Sequence, residues 1–180
     1  SCMKKKMTGI MLLAALFMSA STQASDNLQF KGKLIIPNCT VNNGNPIETD
    51  FGDIEIQTIA AKNTGYHWKS LNIPVDCSYT LGTPKIKLTG NKASVYNNAI
   101  KTTKYDAEKL VIYFRQGTAD NRGAMINLGS YQNLATDAII GSGGTKRTVR
   151  ITAGVGREQG MELLTPGPFT ASANMEVRYE

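Results

Sequence analysis

Few side chains in this sequence can do chemistry. It holds one histidine, His67, and three cysteines, Cys2, Cys39 and Cys77. A histidine-based triad therefore has a single possible centre, and no nucleophile motif flanks it. Cys39 and Cys77 form no C-x-x-C, and one histidine adds little to a metal set. In an exported chain two remaining cysteines are most simply one disulfide, which by loop entropy contributes about 4 kcal/mol. Asp50-Phe51-Gly52 spells a protein-kinase tripeptide, but no glycine-rich loop or catalytic-loop motif accompanies it, so it reads as a turn. Residues 141–145, GSGGT, lack the spacing and the Gly-Lys of a phosphate loop and read as a hairpin loop. Asn38-Cys39-Thr40 fits a glycosylation pattern, but its middle residue belongs to the cysteine pair. His67 beside Trp68 suggests a saccharide platform, against which a loop at the mouth of a strand is the favoured reading. Lys101, Lys104 and Lys109 read as a solvated face. These residues make no case for an enzyme, a metal or a cofactor.

The elements that must position these residues begin after a targeting segment. Lys4, Lys5 and Lys6 precede a mostly apolar run over residues 7–20, too short to span a bilayer comfortably. Ala24 ends a small-residue stretch suited to cleavage, so residues 1–24 read as a signal peptide, with Ser1 and Cys2 as two extra leading residues. No membrane span is expected in the mature chain. Its removal takes three lysines and no acid, so the charge falls from +6 to +3 (17 − 14). That balance gives no argument for nucleic acid.

Short alternating segments with turn signals between them predict an all-β sandwich. Strands are expected over residues 49–59 (at an edge), 68–77, 84–89, 110–114, 125–128, 147–155 and 169–179. Pro74 marks an edge or a bulge, and LVIYF at 110–114 suits a strand covered on both faces. No segment carries helical periodicity beyond about two turns.

The two ends are complementary. Over residues 25–37, SDNLQFKGKLIIP, the even positions read Leu28, Phe30, Gly32, Leu34 and Ile36. Over 169–179, Phe169, Ala171, Ala173, Met175, Val177 and Tyr179 alternate with polar residues, and the sequence stops at Glu180. A sandwich whose last strand sits at an edge leaves an apolar groove with unpaired backbone, an association site. The N-terminal stretch can fill such a groove in a neighbouring copy by strand addition. Its four large apolar residues, at about 1.5–3 kcal/mol each, would contribute an amount comparable to the whole stability of a domain. Glycine in a strand interior is costly unless another surface approaches closely, which suits Gly32. The alternative is that residues 25–37 pair within their own chain as a first strand.

The same ends carry a resemblance. DNLQFKGKLIIPNCT (26–40), DIEIQT (53–58), YNNAI (96–100) and GPFTASANMEVRY (167–179), with Gly167 and the penultimate Tyr179, resemble the pilins of chaperone–usher pili, in particular tip-fibrillum subunits of P pili. The match runs over essentially the whole mature chain. It implies an incomplete immunoglobulin-like β-sandwich lacking strand G: residues 1–24 signal, 25–37 an N-terminal donor strand, 38–180 the pilin domain. It implies the single Cys39–Cys77 disulfide. A periplasmic chaperone would lend a strand to the groove built on Gly167, Phe169, Ala171, Ala173, Met175, Val177, Tyr179 and Glu180, its basic residues holding the Glu180 carboxylate. At an outer-membrane usher the next subunit's donor strand would replace it; in this chain's own donor segment the pocket-filling residues would be Phe30, Gly32, Leu34 and Ile36. The implied role is a structural subunit of an extracellular adhesive pilus, exported through the periplasm. The alternatives are an adaptor or terminator pilin, or an accessory adhesin binding host matrix.

Overall fold

The structure, a computed structural model, describes residues 24–180. The expected signal peptide therefore lies, apart from Ala24, outside the described residues. Residues 24–34 form one unit and residues 35–180 another.

Ten strands build the second unit: β1 (Thr40–Val41), β2 (Tyr66–Asp76), β3 (Pro84–Gly90), β4 (Ala99–Lys101), β5 (Leu110–Gly117), β6 (Arg122–Met125), β7 (Gln132–Asn133), β8 (Ile139–Ile140), β9 (Lys146–Arg157) and β10 (Ala173–Tyr179). The single α-helix among the described residues is one turn, α1 (Tyr105–Glu108). The larger sheet runs β1–β2–β9–β5–β4, with β6 on β5 and β8 on β9. The smaller runs β10–β3–β7. All pairings are antiparallel.

Alternation dictates the core. Ile73 and Val75 of β2, Ile112 and Phe114 of β5, and Val149, Ile151 and Val155 of β9 meet Ile86 and Leu88 of β3 and Val177 and Tyr179 of β10. β5 is buried on both faces, as its continuous apolar run requires. Its other face, Val111 and Tyr113, packs with Ala93, Ala99 and Tyr105 under Trp68. Cys39 and Cys77 are joined, linking the residue before β1 to the residue after β2.

Three expectations are corrected. Residues 49–59 form no strand; they run extended into a 3-10 turn at Ile56–Thr58. The Thr58 hydroxyl donates to the Glu55 carbonyl (2.6 Å) and pairs with His67 Nε2 (2.7 Å). Local side-chain bonds of this kind compete with a ladder and here replace it. The strand expected at 125–128 ends at Met125, and the Ile126 N–H instead reaches the Phe114 carbonyl. The last strand begins at Ala173, not Phe169, because its partner β3 ends at Gly90, opposite Ala173. Pro74 lies beyond the reach of the two-residue β1, which stops opposite Val75, so its missing N–H is tolerated. The irregularity in β2 falls instead between Tyr66 and Lys69.

Candidate functional site

The free edge of β10 follows from its pairing. Glu180 exchanges both backbone bonds with Thr83, each 3.0 Å. In an antiparallel ladder a residue's N–H and C=O point the same way. Even positions of β10 therefore face β3 and odd positions face away. On that outward side one backbone bond is present among the described residues, from the Cys39 N–H to the Val177 carbonyl (2.8 Å). The backbone groups of Ala173, Met175 and Tyr179 have no backbone partner there.

Side-chain burial follows the same gradient. Val177 is fully buried and Tyr179 8 % exposed. Met175 is half-buried, Ala173 and Ala171 are exposed, and Phe169 is half-buried against Phe51 (ring centroids 6.4 Å). The inner face of this strand is thus covered at its C-terminal end and open toward its start.

A hollow of about 70 Å³ lies at that open end, lined by Ile54, Ile59, Leu110, Leu164 and Phe169. Its rim is a polar clamp. Lys104 Nζ sits 3.2 Å from the Glu108 carboxylate and donates to the Thr165 carbonyl; the Thr165 N–H donates to Glu108. Burial pushes the Glu108 carboxyl up, but the Thr165 N–H, Lys104 and the Thr165 hydroxyl outweigh it and hold the group below the ordinary range. Gly167, at φ +144°, turns the chain into this wall and would bring a Cβ to 3.5 Å from Lys104 Nζ.

The face of β10 opposite the core, where its even side chains lie, is charged. Glu176 accepts from the Tyr131 hydroxyl (2.9 Å) and lies 3.4 Å from Lys87. The Arg178 guanidinium covers the Tyr131 ring at 3.9 Å. The Tyr131 hydroxyl is the main cause that holds the Glu176 carboxyl low, with Lys87 assisting. Arg178 also pairs with the Glu180 side chain (2.7 Å). Arg147 donates to the Tyr179 hydroxyl (3.2 Å) and fans Nη1 onto the carbonyls of Gly143 and Gly144.

Residues 24–34 carry no regular secondary structure. Leu28 is 71 %, Phe30 90 % and Leu34 101 % exposed, and a Cβ on Gly32 would meet nothing within 4 Å. Ile36 in the second unit is 39 % exposed. Residues 28–37 belong to no strand.

The tempting motifs resolve as turns. The Gly52 N–H bonds the Asp50 carboxylate (2.8 Å), and residues 141–145 connect β8 to β9. His67 lies inside β2, not in a loop at its mouth. Lys101 and Lys109 lie over the Tyr105 ring at 4.9 and 4.6 Å, but Lys104 is part of the clamp and mostly buried, contrary to the expected solvated face. Sequence reasoning missed this clamp and the hollow. The apolar spacing of Ile54, Ile56 and Ile59 is the available signal, and alone it reads as a strand.

Two antiparallel sheets around a shared core, one disulfide and a last strand paired along one edge only define an incomplete immunoglobulin-like sandwich of the pilin class. The same fold occurs in a solved chaperone–usher pilus, with a TM-score of 0.56 at 21 % identity, covering 88 % of this chain and 98 % of that one. Residues 28–180 match the family model described as fimbrial protein. Among relatives, fimbrial protein PrsE of Escherichia coli is 35 % identical over 181 residues, covering 97 % of this chain and 99 % of that one. The fimbrial adapter PapF of Escherichia coli is 27 % identical over 169 residues, covering 94 % and 96 %. The chain belongs to the fimbrial protein family. It is a structural subunit of a fimbrium, exported to an extracellular fibre in which it neighbours other pilins.

Proposed function

We propose that this subunit polymerises by donor-strand exchange within a tip fibrillum. Residues 1–24 direct export, residues 25–37 are the strand it donates, and residues 38–180 form the domain that receives one. The observation that carries the reading is the burial gradient from Val177 in β10 back to Ala171 just before it, on a strand whose outer edge lacks a ladder. Residues 25–37 have the matching pattern: apolar groups at alternate positions, exposed at Leu28, Phe30 and Leu34. Edge addition supplies backbone bonds for affinity and side-chain pockets for specificity.

A periplasmic chaperone occupies the groove first, and its cations hold the terminal carboxylate of Glu180. An incoming donor strand displaces it at an outer-membrane usher. The driving force is the better fit of donor to groove, with no nucleotide involved. Gly32 sits where a pocket is shallow. A second reading, an adaptor joining two fibre segments, is supported by the similarity to the fimbrial adapter PapF.

The test is displacement. The mature chain co-expressed with a matching chaperone is challenged with a peptide of residues 25–37. Release of the chaperone and gain of a stable peptide complex are expected. A chaperone-free mature chain whose urea midpoint is not raised by the peptide would refute the reading. Only peptides from a different pilin displacing the chaperone would favour the adaptor role.

A further inference from the structure

The outer face of the larger sheet, away from β10, carries an arrangement that subunit joining leaves unused. β9 presents Gly154 opposite Tyr113 and Gly156 opposite Val111. A Cβ at Gly154 would lie 2.7 Å from the Trp68 ring, and one at Gly156 would run into the Tyr113 ring. Bare backbone thus lets both aromatic rings lie against the sheet. The bulge in β2 aims Trp68 there: His67 has φ +55°, a conformation costly for a non-glycine residue, held by its bond to Thr58. Trp68 Nε1 donates to the Gly65 carbonyl (3.1 Å), fixing the indole.

Two guanidiniums stand beside this shelf. Arg122 lies over the Trp68 ring at 5.0 Å and spends one N–H on the Ala119 carbonyl. Arg115 spends its Nε–H on the Gly123 carbonyl. Neither belongs to any of the ion pairs among the described residues. Each guanidinium has five donors, so most of theirs have no acceptor among the described residues. Between them lies a cleft of about 220 Å³, also lined by Asn63, Thr64 and Met125, with Tyr113 as its buried floor. The Tyr113 hydroxyl is buried and has no partner among the described residues. Burial, then the nearby Glu158 carboxylate, raise its pKa and keep it a neutral donor.

We propose that this cleft binds a carboxylate-bearing saccharide: Arg115 and Arg122 take the carboxylate, Arg122 turning off the outer face of the Trp68 ring; that uncovered face takes an apolar sugar face, and Asn63 and Thr64 take hydroxyls. Two guanidiniums lining one cleft with no acidic partner among the described residues match a carboxylate in charge, and the planar fork of each suits its two oxygens. The simpler account, that Trp68 merely roofs the small cluster around Tyr105 and Val111, explains the two rings but not the two unpaired cations beside them. An acidic peptide would satisfy the cations but has less use for a flat ring flanked by an amide and a hydroxyl.

Trp68 is the only tryptophan, so its emission reports directly on the cleft. The mature chain, in the complex in which it is purified, is titrated with 3′-sialyllactose, with lactose as the neutral control and hexaglutamate as the peptide control. A saturable change is expected with sialyllactose, at least tenfold weaker with lactose or hexaglutamate. Arg122→Gln should weaken it at least tenfold with unchanged far-ultraviolet circular dichroism, and Asn63→Ala several-fold. No saturable change, equal affinity for lactose, or full affinity in Arg122→Gln overturns the proposal. Equal or tighter binding of hexaglutamate overturns it in favour of a peptide site.

Discussion

β9 and β10 read alike in the sequence, both long and strictly alternating, yet they end in different surroundings. β9 lies between β2 and β5, and Val149, Ile151, Ala153 and Val155 on its inner face are all at most 5 % exposed. β10 has β3 on one side and, on the other, a single backbone bond from Cys39. Its inner residues go from buried to exposed within a few positions. Alternation declares which residues are made for a core; the neighbours decide whether the core is there. A strand with a core-type face and one flank is an edge awaiting a partner.

The largest expected effect breaks what little closes the open side of β10. Cys39→Ser with Cys77→Ser should cost about 4 kcal/mol by the loop-entropy model and, with β1 freed, leave β10 with no neighbour there. Urea denaturation of the chaperone-free chain with and without the 25–37 peptide measures it.

Truncating each strand's inner face sharpens the contrast next. Ile151→Ala in β9 should cost about 2–5 kcal/mol whether or not peptide is bound, as buried large-to-small changes do. Met175→Ala in β10 should cost less than about 1 kcal/mol alone and about 1–2 kcal/mol more once a donor strand covers it. Equal costs in the two forms would show that the peptide does not lie on β10. Gly32→Leu should leave the chaperone complex intact yet block insertion of this chain's donor strand into a neighbour. Deleting residues through Tyr179 should abolish chaperone capture. Pulldown of the two complexes separates these outcomes.

The smallest effect is electrostatic. The Glu108 carboxyl titrates below its unfolded value, so its contribution is fully present above the ordinary glutamate range of about 4.3 and is lost as pH falls through the folded value. The hollow beside Phe169 should therefore loosen in acid, seen as faster amide exchange at Thr165 and Leu164. Glu108→Gln should show that loosening at neutral pH and little further change on acidification.

Much of this was legible beforehand. The six inner residues of β9 and β10 that reach the core, the two-faced burial of β5 and the cysteine pair all followed from period and composition. What was not legible depended on partners distant in sequence. Residues 49–59 alternate like a strand, but Thr58 finds Glu55 and His67, and the turn wins. Phe169 and Ala171 alternate like Val177, but β3 ends before it can pair with them. Lys104 looked like one lysine in a solvated row until Glu108 and Thr165 closed around it. The short strands β4, β7 and β8 are two or three residues each, below what periodicity can detect.

The disulfide has a mechanical meaning for a subunit of a fibre. Tension pulling on residues N-terminal to position 39 enters the domain at Cys39. β1 alone, paired over two residues, would peel away one rung at a time. The sulfur link instead hands the load to the end of β2, which is knitted to β9 over most of its length. The load thereby meets a strand held at nine paired positions rather than two.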